Sequence, residues 1–163
     1  MAVMGIRVSR NEVTPAINKA LERGPARLER ALFESGLHVE SIAKQLAPVN
    51  TGRYRSGITT KRVGPLTVFV GGARVGEWLE FGTRPHWPPL KPILLYVRQK
   101  ARSRGGGRGR EKDIRRHAYF LRKWIAKHGT KPHPHIEPAL RLSEHVIADN
   151  IRQAQWDIMT GRV

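Results

Sequence analysis

One near-copy within the chain constrains its fold more than any other feature: Gly82-Thr83-Arg84-Pro85-His86-Trp87-Pro88 returns as Gly129-Thr130-Lys131-Pro132-His133-Pro134. Each copy follows an apolar, aromatic-bearing segment, Trp78-Leu79-Glu80-Phe81 before the first and Trp124-Ile125-Ala126 before the second. Glycine permits a positive φ that ends a helix or strand, and proline holds itself and the residue before it extended. Each copy is therefore a stop. Two matched stops predict that residues 84–131 form an insert hung between two ends of one scaffold.

That insert holds most of the charge. The chain carries a formal +17, yet residues 1–52 hold seven basic and five acidic side chains, a near balance. Residues 98–131 hold thirteen basic and two acidic, an excess of +11. Such a local excess attracts polyanions or an acidic protein face. A solvated, self-repelling loop explains the same composition. On charge alone both readings stand.

The 163 residues suit one domain, residues 1–163, with a real core. Cysteine is absent, which excludes disulfides and thiolate metal sites. The apolar run Ile93-Leu94-Leu95-Tyr96-Val97 is too short to cross a bilayer, and no secretory signal is visible at the start. A soluble protein of the cytoplasm, without a membrane partner, is the expectation.

Periodicity gives the elements. Residues 2–8 read as a short strand and 12–22 as a short helix capped by Asn11. Gly24-Pro25 interrupts, and Leu28, Leu32, Val39, Ile42 and Leu46 then mark one stripe of a long helix closed by Pro48. β-Formers in 53–62, the run 66–70 and a third strand over 75–81 predict an antiparallel meander. Helices follow over 93–101 and 111–128, separated by a glycine-rich basic loop over 103–110. A terminal helix begins near Pro138. The fold class is therefore α+β: a small antiparallel sheet of three to four strands, covered by a long N-terminal helix and a C-terminal helix, with a basic helical insert.

Reactive constellations are hard to assemble. His86, His133 and His135 would converge if the two stops are neighbours, but proline-flanked loops with no Asp or Cys make a poor metal site. His117 and His128 read as surface residues. No nucleophile elbow exists, and Gly105-Gly106-Gly107-Arg108-Gly109 lacks the lysine and context of a phosphate loop. On one strand Glu77 and Glu80 would face opposite sides of the sheet. The reading is of no enzyme, no metal and no cofactor. Trp78 and Trp124 read as core. Trp87, boxed by His86 and Pro88-Pro89, reads either as a protein-contact aromatic or as loop packing.

Three segments carry a resemblance. Ala47-Pro48-Val49-Asn50-Thr51-Gly52-Arg53-Tyr54-Arg55-Ser56-Gly57-Ile58 is similar to a motif of the small head–tail joining and tail-completion proteins of long-tailed bacteriophages. Val70-Gly71-Gly72 followed by Trp78-Leu79-Glu80-Phe81-Gly82-Thr83 resembles that family's strand pair ending in Glu-Phe-Gly-Thr. Ile136-Glu137-Pro138-Ala139-Leu140 resembles the opening of its last helix. Asn50 stands where aspartate is usual, Arg74-Val75-Gly76 where Tyr-Ala is commoner, and His135-Ile136 where an aromatic pair is usual.

The resemblance implies a structural virion protein of the neck, assembled in the host cytoplasm. It would form a ring, a homo-oligomer and in all expectation a hexamer, that terminates the tail tube and joins it to the head. Its partners would be the major tail-tube protein and head-side connector proteins, with genomic DNA passing through. Pro48, Asn50, Thr51, Gly52, Glu80, Phe81, Gly82, Thr83 and Pro138 would be structural, with Phe81 pointing into the core. Trp87, Arg102, Arg104, Arg108 and Arg110 would contact a partner, an acidic protein neighbour ahead of DNA. The alternative is a basic nucleic-acid-binding protein using residues 98–131. Against it, residues 98–116 hold no interleaved aromatics for base stacking.

Overall fold

The computed structural model describes the backbone of residues 10–73, 75–103 and 111–162, and side chains from residue 22 onward. The elements in chain order are α1 (Arg10–Leu46), α2 (Arg53–Ser56), β1 (Thr59–Gly64), β2 (Thr67–Gly71), α3 (Val75–Phe81), α4 (Leu90–Ser103), α5 (Glu111–His128) and α6 (Ile136–Met159). The expected strand over 2–8 and most of the glycine-rich loop lie outside the described residues. Among the described residues helix dominates, with one small antiparallel sheet of two strands. No helix among the described residues is long and apolar enough to cross a membrane.

α1 is one helix of 37 residues, not two parted at Gly24-Pro25. Proline inside a helix costs about 3 kcal/mol by losing an N–H and crowding the preceding turn. The helix nevertheless runs through Pro25, and beside it Gly24 is buried, a Cβ there meeting Ile158 at 3.4 Å.

The chain divides into two compact units. The first comprises Met1–Ile42, Thr59–Val70 and Ala139–Val163. In it α1 and α6 pack antiparallel: Gly24 lies by Ile158, Arg27 binds Asp157 at 2.7 Å, and Asn150 donates to Ser35 at 3.0 Å. The buried side chains of the two helices in this unit are mostly small: Ala31, Ser35 and Val39 on α1, and Ala139, Ser143 and Ala154 on α6. Small residues at a contact let helix axes approach closely. Each buried serine hydroxyl donates to the carbonyl four residues earlier at 2.8 Å, so neither is left unpaired. Of the leucine-rich stripe expected to be covered, Val39 is buried while Leu46 stays exposed.

The β1–β2 hairpin lies on α1 at Gly36. A Cβ there would come within 2.7 Å of both Thr60 and Val68 methyl groups, so only glycine admits the hairpin so near. Thr60 fastens it, its hydroxyl donating to the Gly36 carbonyl at 3.0 Å and its N–H to Glu40 at 2.6 Å.

The second unit comprises Ala43–Ile58 and Gly71–Pro138. Here the expected third strand is the helix α3, so among the described residues the sheet has two strands, not the three or four expected. Val, Trp and Phe favour strands, but β-propensity yields readily to tertiary context. The context is Glu80, whose side chain is held by another segment of the unit. Residues 53–56, also expected as strand, form the single turn α2. α4 and α5 pack against each other through Ile93, Val97 and Ala118, flanked by Leu94, Ile114, Leu121 and Ile125. On α5 that core runs along Ile114, Ala118, Leu121 and Ile125, an apolar stripe at helical spacing.

Candidate functional site

The two Gly-Thr copies meet. Thr83 and Thr130 form an isolated antiparallel bridge, each N–H donating to the other's carbonyl at 3.2 Å. Their hydroxyls lie 3.0 Å apart, and the Thr130 N–H also reaches the Thr83 hydroxyl at 3.1 Å. Gly82 and Gly129 have φ of 73° and 74°, the left-handed region that glycine enters without penalty. A Cβ on Gly82 would overlap the Thr130 carbonyl, and one on Gly129 the Thr83 carbonyl. The duplication in sequence is thus a reciprocal clasp, with α4 and α5 lying between its halves along the chain.

Beside it lies a buried polar network. Glu80 accepts backbone N–H bonds from His135 and Ile136 on Oε2, at 2.8 and 3.1 Å, and from Glu137 on Oε1 at 3.0 Å. These are the N–H groups that the first turn of α6 leaves without helical partners, at the positive end of its dipole. Burial alone would push the Glu80 carboxyl up. The three N–H bonds and the His135 ring outweigh burial and hold it below the usual glutamate range.

His135, fully buried, completes the network. Its Nδ1 faces two acceptors at 3.0 Å, Glu80 Oε2 and the His133 carbonyl, and therefore carries the proton. Its Nε2 accepts from the Tyr54 hydroxyl at 2.7 Å, with the two rings edge-on. Hydroxyl, imidazole and carboxylate stand in the order of a catalytic triad. The electrostatics run the other way: burial, then the Glu80 charge, push the Tyr54 phenol above its ordinary range, where an activated hydroxyl needs help losing its proton. What the arrangement does chemically is satisfy and fix three segments at once. Local sequence signals missed it, because Tyr54, Glu80 and His135 are far apart in the chain.

The other residues singled out by sequence fall as follows. Pro48 is half-buried, and Asn50 is exposed, donating to Gln99 at 2.9 Å. The exposed Thr51 accepts the Arg53 N–H at 3.4 Å. Gly52, with φ 77°, precedes α2 rather than opening a strand. Pro138 lies in the first turn of α6. Phe81 does not point into a core: it is 78% exposed. Once residues 75–81 are helical, Glu80 takes the buried side and Phe81, one position on, is turned to solvent. Glu77 is exposed, so the expected opposition of Glu77 and Glu80 across a sheet does not arise. Trp78 and Trp124, read as core, are 54% and 42% exposed, each on the outer side of its helix.

Trp87 is exposed and pinned. The Arg122 guanidinium lies 4.6 Å from its ring centre, and Arg122 Nε donates to the Pro88 carbonyl at 2.8 Å. Arg102 is exposed in the last turn of α4. Arg104, Arg108 and Arg110 lie outside the described residues. The three histidines do not gather: His86 is exposed with Nδ1 2.9 Å from the Arg84 carbonyl, His133 is exposed, and His135 is engaged as above. Among the described residues no group of three or more His, Cys, Asp or Glu is placed to hold a metal ion.

No family model matches the chain, and no curated protein or solved structure matches it.

Proposed function

We propose that the chain is a structural neck component of a long-tailed bacteriophage, a subunit of a closed ring, hexameric in our reading, that completes the tail and joins it to the head. One observation carries the reading. Segments from all three stretches of the resemblance meet in a single buried network: Tyr54 from the first, Glu80 from the second, and the Ile136 and Glu137 N–H groups from the third. A motif whose members hold each other in place, across about 80 residues of chain, suits a part selected to keep its shape under load.

A ring also needs two unlike patches on each subunit. α3 offers one, with Val75, Trp78 and Phe81 exposed on a seven-residue helix. Clustered exposed aromatics on a folded chain mark surfaces that another protein covers. In this reading the occupant is the next subunit, with the tail-tube and connector proteins above and below.

Complementation tests the proposal. Phage lacking the gene should accumulate DNA-filled heads and separate finished tails, and supplying the chain in trans should restore joined particles. Normal joined particles without the chain would refute it.

A further inference from the structure

We infer that the outer face of α5 is a binding surface for single-stranded nucleic acid. It rests on the side chains of that helix, not on the neck reading, and either can fail alone.

The charge is arranged, not merely abundant. Lys112, Arg116, Tyr119, Lys123 and Lys127 recur at intervals of four, three, four and four, so they share one face of α5, and all are exposed. From Lys112 to Lys127 the row runs about 22 Å at the helical rise. The only carboxylates of α5, Glu111 and Asp113, sit in its first turn. Both are occupied by arginine: Glu111 by Arg98 and Arg115, Asp113 by Arg116 at 3.6 Å. Those arginines hold the Glu111 carboxyl below its usual range. What remains facing outward along the row is mainly lysine ammonium, a compact cation suited to phosphate.

Aromatics flank the row. Residues 98–116 hold none, but the second half of the same helix does: Tyr119 is 52%, Phe120 63% and Trp124 42% exposed. Trp124 lies beside the His128 ring, 4.9 Å between centres and tilted 32° to it, and is itself half-exposed. Phe120 walls an open cleft of about 400 Å³ with Asp113, Arg116 and His117. Cations in a row beside exposed aromatic rings are what a strand with unpaired bases requires: phosphates take the charge and bases stack.

An acidic protein would satisfy the charge as well. Protein interfaces, however, are depleted in lysine relative to the rest of the surface, and here three lysines stand among the exposed rings. A duplex would engage the lysines but leave Phe120 and Trp124 idle, since its bases are already stacked.

The test measures fluorescence anisotropy of a labelled oligothymidine, about 20 nucleotides long, and a duplex of equal length against the full chain. Oligothymidine should bind more tightly than duplex. With three phosphates neutralised, its affinity should fall about 20-fold between roughly 50 and 200 mM salt. Replacing Lys112, Lys123 and Lys127 by Ser should remove most of that slope. Phe120→Ala with Trp124→Ala should weaken oligothymidine roughly 5- to 100-fold, leave its salt slope unchanged and spare the duplex. All five positions are exposed, so circular dichroism should confirm folded variants. Duplex binding as tightly as the single strand, or indifference to the aromatic pair, would overturn the inference. So would displacement by polyglutamate at equal charge, which would assign the face to an acidic protein.

Discussion

Thr83 and Thr130 are each other's partner: hydroxyls 3.0 Å apart, backbones exchanging two hydrogen bonds of 3.2 Å, at the same place in two copies of one motif. The glycines before them take the same left-handed conformation and each leaves room for the other copy's chain. A repeat that pairs with itself accounts for the glycine followed by threonine in both copies.

The clasp yields the first prediction. Gly52→Ala places a Cβ at φ 77° in open space and should cost only the left-handed strain, about 1–2 kcal/mol. Gly82→Ala and Gly129→Ala carry the same strain and an overlap with a backbone carbonyl besides. Thermal melts should therefore rank Gly52→Ala mildest, with the other two similar and distinctly worse. Equal losses at all three positions would contradict the clasp.

The network yields the second. Because the folded state holds the Glu80 carboxyl below its unfolded value, its contribution to stability is complete above the ordinary glutamate range, near 4.3. It fades as pH falls through the lower folded value. Glu80→Gln should cost about 2 kcal/mol near neutrality, by turning an amide toward N–H donors, and flatten the acid limb of the stability profile. Urea unfolding at stepped pH measures both.

Tyr54→Phe is the third. It removes the donor to the buried His135 Nε2 and should cost about 1–3 kcal/mol, the usual penalty for a buried polar atom left alone. A loss too small to measure would place the Tyr54 hydroxyl in water instead.

Much of this was legible in the chain. The helices expected over 93–101 and 111–128 are α4 and α5, and the Gly-Thr repeat marked two stops. What misled was local propensity at 75–81, where Val, Trp and Phe read as strand, while the fold of that segment is tied to Glu80 reaching the start of α6. That dependence spans 55 to 57 residues, beyond any local window. The same error sent Phe81 inward on paper. Similarly, Gly24-Pro25 reads as a break to any local rule, whereas in the fold the helix runs on and Gly24 is buried beside Ile158, far along the chain.

The fourth prediction follows from that correction. Phe81→Ala should shift isolated-chain stability by no more than about 0.5 kcal/mol, as for an exposed position. Under the proposed neck role, the same change together with Trp78→Ala should nevertheless block assembly into particles. A large loss in the melt would return Phe81 to a core.

The proposal that this chain forms a phage neck ring is tested most directly by high-resolution imaging of intact particles produced from a genome that carries its gene. The account predicts a closed ring of copies between head and tail tube, with Trp78 and Phe81 of each copy covered by its neighbour. Density at the neck that excludes this chain, or particles from which it is absent, would contradict it.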